Sequence, residues 1–142
     1  MTNNSDPLLA TFKLKHLTLK TRVMSTSHEP AYSENGLPTE RYQLYHEEKA
    51  KGGIGLTMFG GGTLIAPDSP AAYGNLYAGN DEIIPHFRAL ARRVHAHGAA
   101  TMCQLSHLGR RTSNYAGERV LVIALAAVRD PAHRAFPKEM ED

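Results

Sequence analysis

Glycine and polar residues that could contact a ligand follow three short predicted strands of this chain. Gly60-Gly61-Gly62 comes directly after the second strand, and glycine there lets a flat ligand approach the backbone closely. Gln104 lies near the end of the third strand, and His28 follows the first. A glutamine amide offers both a donor and an acceptor. The Gln104 amide therefore matches a heterocycle whose edge carries adjacent carbonyl and N–H groups.

Each of these features also has a purely structural interpretation. The glycines of Gly60-Gly61-Gly62 would then only relax a loop. The amide of Gln104 would only satisfy backbone groups at the end of its strand. Residue spacing alone leaves both interpretations open.

Other chemistries are excluded by spacing. Gly53 and Gly55 precede a strand instead of following one, and Met58 stands where a dinucleotide-binding loop needs its third glycine. His95 and His97 are two residues apart on a helix, so they do not share a face and we expect no metal site. No spacing of serine, histidine and carboxylate residues indicates a catalytic group, so the catalytic residues stay unknown.

The elements that position these residues follow the order strand, helix, strand, helix, strand. Crossover helices of this length connect parallel strands, which predicts an α/β fold. We expect strands at residues 22–26, 54–59 and 101–105. We expect loops over residues 29–38 and at the glycines 60–62. The first helix should start after Thr39 and end at Gly52-Gly53.

The second helix has the clearest pattern. Asn80 and Asp81 occupy the capping position, Pro85 fits the first turn, and Gly98 ends the helix. Apolar residues recur at the helical period, which predicts one buried face formed by Ile84, Phe87, Leu90 and Val94.

Composition indicates a soluble, cytoplasmic protein of 142 residues. The net charge of +2 and the scattered basic residues give no reason to expect a nucleic-acid partner. Cys103 is the only cysteine, which excludes an intrachain disulfide and a cysteine cluster for zinc or iron–sulfur. The longest apolar run, 120–128, is far shorter than the roughly 20 residues that span a bilayer, so we expect no membrane partner.

Three stretches resemble one known family. Residues 17–28 (LTLKTRVMSTSH) are similar to the first strand of NADH:flavin oxidoreductases. Residues 36–55 (GLPTERYQLYHEEKAKGGIG) are similar to the first helix and second strand of these enzymes, and residues 104–110 (QLSHLGR) are similar to their third strand. These enzymes belong to the Old Yellow Enzyme superfamily, and the nearest branch is that of 2,4-dienoyl-CoA reductase and trimethylamine dehydrogenase.

The resemblance implies a partial TIM (β/α)8 barrel comprising roughly the first three strands and two helices. Residues 1–8 would form a disordered lead-in, and residues 9–142 the N-terminal portion of the barrel. The implied cofactor is FMN, with NAD(P)H as electron donor and a small electron-poor molecule as substrate. The implied ring contacts are Thr26, Ser27, His28, Gly60 or Gly61, and Gln104.

Two hypotheses about function follow. A complete barrel has eight strands and about 250 residues, so the chain would be a truncated enzyme that is completed by a complementary barrel fragment or by homo-oligomer formation. Alternatively, the chain is a non-catalytic remnant without cofactor, because unpaired sheet edges favour association.

Overall fold

The computed structural model describes residues 6–69, 71, 74–110, 123–131 and 136–141. In chain order the elements are a 3₁₀ turn at Pro7–Leu9, β1 Phe12–Leu14, β2 Leu17–Leu19, β3 Met24–Ser25, β4 Ser33–Glu34, β5 Leu37–Pro38, α1 Glu40–Lys51, β6 Leu56–Leu64, α2 Ile83–His95, β7 Ala100–Ser106, β8 Ile123–Ala124 and β9 Lys138–Glu139.

A parallel sheet of three strands organises the chain, in the order β3-β6-β7. Helix α1 connects β3 to β6, and helix α2 connects β6 to β7. Since all three strands run parallel, their carboxyl ends meet at one edge of the sheet. The predicted α/β fold class and the order of its elements are confirmed.

Local interactions set the ends of both helices. Thr39 Oγ1 accepts a hydrogen bond from the Tyr42 amide at 3.4 Å, and α1 ends at Gly52, as predicted. The predicted cap of α2 at Asn80 and Asp81 is wrong, because Glu82 is the N-cap residue and makes no side-chain cap hydrogen bond. Asn80 Oδ1 instead accepts from the Glu82 amide at 3.1 Å, just before the helix. Gly98, at a φ of +69°, follows α2 and turns the chain toward β7.

The core lies between the two helices and one face of the sheet. Leu90 and Val94 are fully buried, and the half-buried Phe87 packs edge-on against Phe59 at a centroid distance of 5.0 Å. The prediction for Ile84 is wrong, because its side chain is 45% exposed. Its neighbour Ile83 is buried instead, since consecutive helical residues point in directions about 100° apart.

The opposite face of the sheet is partly exposed in the described part of the chain, although Leu56 on that face is buried. Phe59 pairs with Cys103 on the helix side, so Met58 and Met102, one residue earlier in each strand, point to the other side. Met102 is 42% exposed. The outer edges of β3 and β7 have no strand partner among the described residues.

Several predicted boundaries need correction. The predicted loop at Gly60-Gly61-Gly62 is wrong, because β6 continues through these glycines to Leu64. The first strand is shorter than expected, at Met24–Ser25. The stretch predicted as a loop over residues 29–38 contains the β4-β5 hairpin. The antiparallel β1-β2 hairpin was not predicted at all.

Some sequence predictions concern residues that the structure does not describe. Residues 1–5 of the predicted lead-in and residues 120–122 of the apolar run lie outside the described ranges. Within the lead-in, Pro7 and Leu8 belong to the 3₁₀ turn, and the Leu8 carbonyl accepts from the Arg22 amide at 2.9 Å. No helix in the described part is long and apolar enough to cross a membrane.

Candidate functional site

The residues Gly60-Gly61-Gly62 form an irregularity in β6, which we call the glycine bulge. Their φ angles are +94°, +31° and +110°, a region that favours glycine. The register shifts here: from Phe59 to Thr63, β6 advances four residues while β7 advances two, from Cys103 to Leu105. The glycines therefore allow backbone geometry that other residues would strain.

The glycine bulge is in close contact with the ends of both neighbouring strands. A Cβ atom on Gly61 would overlap the backbone nitrogen of Glu29, which follows β3. A Cβ atom on Gly60 would lie 3.1 Å from the carbonyl oxygen of Gln104 in β7. The structure thus brings the three predicted ligand-binding segments together at the carboxyl edge of the sheet. It also shows that the glycines are needed for contacts within the chain.

The predicted site residues differ in accessibility. Gln104 is exposed, and its side-chain amide makes no hydrogen bond within the described chain. Thr26 is exposed, and its carbonyl accepts from Ser25 Oγ at 3.3 Å. His28 is exposed, and its Nδ1 lies 3.2 Å from the Tyr45 hydroxyl. These three exposed side chains lie near the carboxyl edge of the sheet.

Buried polar atoms without partners concentrate at the same edge. Among the described residues, four buried side-chain atoms have no hydrogen-bond partner: Ser27 Oγ, Glu29 Oε2, His46 Nε2 and Ser106 Oγ. Three of them belong to residues that follow β3 or end β7, and Ser106 Oγ would lie 3.2 Å from a Cβ atom on Gly62. An unpaired buried polar group costs about 1–3 kcal/mol, which a polar ligand would offset.

The Glu29 carboxyl belongs to this group and is held by one backbone donor. Its Oε1 accepts from the Ala31 amide at 2.9 Å, while Oε2 is unpaired. Burial raises the pKa of Glu29, and the hydrogen bond from Ala31 opposes that change. Glu29 is therefore easier to protonate than an ordinary glutamate.

A buried polar layer of α1 lies against β6 beside the glycine bulge. The Tyr42 hydroxyl accepts a hydrogen bond from the Gly60 amide at 2.9 Å, and Nδ1 of His46 lies 2.8 Å from Thr57 Oγ1. Burial, followed by the charge of Glu29, raises the pKa of Tyr42, so its hydroxyl stays protonated. Burial also lowers the pKa of His46 to about 4, helped by Lys49 and His28, so its imidazole is neutral at neutral pH.

Comparison with known proteins decides the family. Residues 7–141 match the NADH:flavin oxidoreductase / NADH oxidase family. The chain belongs to this family. It is 50% identical over 141 residues to a multifunctional alkene reductase/demethylase of Caballeronia cordobensis, covering 99% of this chain and 21% of that protein. It is 49% identical over 138 residues to a probable N-methylproline demethylase of Rhizobium meliloti (strain 1021), covering 97% and 20%.

A solved structure agrees with the family assignment at the level of the fold. The complex of 2-naphthoyl-CoA reductase with 2-naphthoyl-CoA superposes with a TM-score of 0.85 at 21% identity, covering 95% of this chain and 22% of that chain. The chain spans about a fifth of the length of the two relatives named above. Its three strands and two helices are part of a TIM barrel, and the described residues form no closed barrel.

Sequence patterns missed several residues that contribute to the site. Glu29 and Ser106 carry unpaired atoms there, and Tyr42 contacts the glycine bulge. Tyr42 and His46 are four residues apart on α1, and this spacing places both on one helix face. The spacing does not show which residues of β6 their side chains contact. No cluster of three histidine, cysteine or acidic side chains suited to a metal occurs among the described residues.

Proposed function

We propose that this chain supplies the ring-binding part of an FMN-dependent NAD(P)H oxidoreductase. The observation that carries the proposal is the set of unpaired buried atoms of Ser27, Glu29 and Ser106 at the carboxyl edge of the sheet, where Glu29 and Ser106 adjoin the glycine bulge. Together with the free amide of Gln104, they offer hydrogen bonds at the edge of the sheet where ligands of parallel barrels bind.

Each proposed contact follows from the chemistry of its residue. The Gln104 amide would donate to a ring carbonyl and accept from the adjacent ring N–H. Thr26, Ser27 and His28 would add polar contacts from the end of β3, and the backbone at Gly60 and Gly61 would lie against the ring. When FMN is bound, the chemistry it supplies is hydride transfer from NAD(P)H to an electron-poor small molecule, such as an activated alkene.

The remainder of a barrel is the partner that this chain would need. The outer edges of β3 and β7 are unpaired, and the face with Met58 and Met102 is the one that lies inside a closed barrel. The remaining strands would come from a longer protein, from a complementary chain or from further copies of this one. The loops that bind the phosphate in such barrels would belong to that remainder.

The same unpaired edges favour a second candidate, a non-catalytic fragment that associates with itself. Unpaired strand edges are templates for pairing with other chains. The exposed apolar side chains of Met24 and Met102, at 47% and 42%, would add to such association. In this case the chain would bind no flavin in any assembly.

A chimeric barrel tests the proposal. This chain replaces the aligned 141 residues of the Caballeronia cordobensis relative, and the unaltered relative sets the reference flavin content. We expect the chimera to purify with FMN at a comparable level. Gln104→Leu in the chimera should weaken FMN binding about tenfold or more, since two buried hydrogen bonds are lost.

The control is Met102→Leu, which lies on the same face of β7 two residues earlier and removes no polar group. It should leave FMN affinity unchanged. A folded chimera without flavin would reject the proposal. Equal FMN affinity of the Gln104→Leu and Met102→Leu chimeras, with lower stability of the first, would assign Gln104 a structural role.

A further inference from the structure

Three buried side chains contact the backbone of the glycine bulge. The Tyr42 hydroxyl accepts from the Gly60 amide at 2.9 Å, and Thr63 Oγ1 donates to the Gly60 carbonyl at 3.2 Å. Asn75 Nδ2 donates to the Gly62 carbonyl at 3.0 Å. Tyr42 and Thr63 are completely buried, and Asn75 is 7% exposed. Side chains from α1, from β6 itself and from the following loop thus meet at one short backbone segment.

The glycine bulge needs such support for a physical reason. Glycine loses more conformational entropy on folding than any other residue, and here three occur in succession. The register shift between Phe59 and Thr63 interrupts the regular pairing of β6 with β7 at this position. Buried hydrogen bonds from side chains restrict the segment where the strand pairing does not.

We infer that Tyr42, Thr63 and Asn75 are positioning residues that hold the glycine bulge in the single shape that the candidate site presents. The inference rests on the proposed function, because the benefit of an ordered glycine bulge is that a flat ligand binds best against a backbone that is already ordered. All three side chains are buried, so their role does not require contact with the ligand. They act through the amide and carbonyl groups of Gly60 and Gly62.

Amide hydrogen exchange tests the inference on the 142-residue chain without cofactor. Tyr42→Phe keeps the buried ring and removes only the acceptor for the Gly60 amide. Thr57→Val is the matched control, because it removes an equally buried hydroxyl bond between α1 and β6, at 2.8 Å from His46, away from the bulge. We expect exchange at Gly60 to become about tenfold faster in Tyr42→Phe and to stay unchanged in Thr57→Val.

A second pair of variants decides the matter if Tyr42→Phe does not fold. Thr63→Val should speed exchange at Gly60 to Gly62, and Thr63→Ser should restore the wild-type rates because it keeps the hydroxyl. Unchanged exchange at Gly60 in Tyr42→Phe, or faster exchange along the whole of β6 in both Tyr42→Phe and Thr57→Val, would overturn the inference. Equal rates in Thr63→Val and Thr63→Ser would do the same.

This experiment separates the inference from the proposed function. Exchange is measured without FMN, so unaltered rates reject the positioning role whatever the chain binds. A folded chimera that lacks flavin rejects the proposed function and leaves the exchange results standing.

Discussion

Mild acid should destabilise this chain through the buried imidazole of His46. Its side chain is completely buried against β6, with Nδ1 on Thr57 Oγ1 and Nε2 unpaired. Burial lowers the pKa of His46 from its ordinary value of 6.5 to about 4. Between these two values the unfolded chain binds a proton at this position and the folded chain does not. Stability should therefore fall as the pH falls through this window.

The size of the effect follows from the two pKa values. The interval between 6.5 and about 4 corresponds to about 3 kcal/mol in the free energy of unfolding. About 2 kcal/mol of this should be lost by about pH 5, and only a few tenths of a kcal/mol more should be lost below about pH 4. Since small domains are stable by only about 5–15 kcal/mol, the change is easily measured.

The assay is urea unfolding followed by circular dichroism between about pH 7 and pH 5. The comparison variant is His46→Asn, whose amide can meet the Thr57 hydroxyl in place of Nδ1 and cannot titrate. It should be less stable at neutral pH, because it leaves space in the core, but its stability should depend less on pH. Groups that do not interact with His46, such as Glu29, titrate alike in both proteins and cancel in the difference. Parallel pH curves for the two proteins would refute the reasoning.

Four further outcomes are expected. Phe87→Ala should lower the free energy of unfolding by about 2–3 kcal/mol, because this half-buried ring packs on the core; unchanged urea midpoints would show that it contributes no packing. Lys20 Nζ donates to the Ala50 carbonyl at the end of α1, at 3.0 Å, and to the His97 carbonyl just beyond α2, at 2.6 Å. Lys20→Met should therefore lower the free energy of unfolding, measured by thermal unfolding, by about 2 kcal/mol. Gly61→Ala should destabilise the chain by about 1–3 kcal/mol or more, since its Cβ would overlap Glu29, and equal melting of variant and wild type would contradict this. The purified chain alone should not retain FMN through gel filtration, because its candidate contacts serve the ring and not the phosphate; a comigrating stoichiometric flavin absorbance would contradict this.

The local pattern of the sequence determined most of the helices and the strand order. Thr39 and Gly52 mark the ends of α1, and the spacing of Leu90 and Val94 identifies the buried face of α2, because caps and periodicity act within a few residues. The alternation of strands and helices was sufficient to predict a parallel α/β sheet. Motif resemblance added the family, which the comparisons confirm over residues 7–141.

Contacts between distant residues decided what local patterns could not. Gly60-Gly61-Gly62 predicts a loop by composition, yet β6 continues through it because β7, Tyr42 and Asn75 supply hydrogen-bonding partners. The β1-β2 hairpin turns at Lys15, at a φ of +52°, without the Asn-Gly pair that identifies such turns in a sequence.

In the candidate site, too, some residues could be identified from the sequence and others only from the tertiary structure. Gln104 could be singled out from its residue type and its place near the end of a strand. The unpaired oxygen of Glu29 could not, because its burial depends on the packing of the chain after β3 against Gly61. Likewise, only the tertiary structure places the Tyr42 hydroxyl on the Gly60 amide, since 18 residues separate the two groups along the chain. Sequence determined which groups are present, and tertiary packing decided which of them are buried, paired or left free to bind, because desolvation depends on every segment that covers a group.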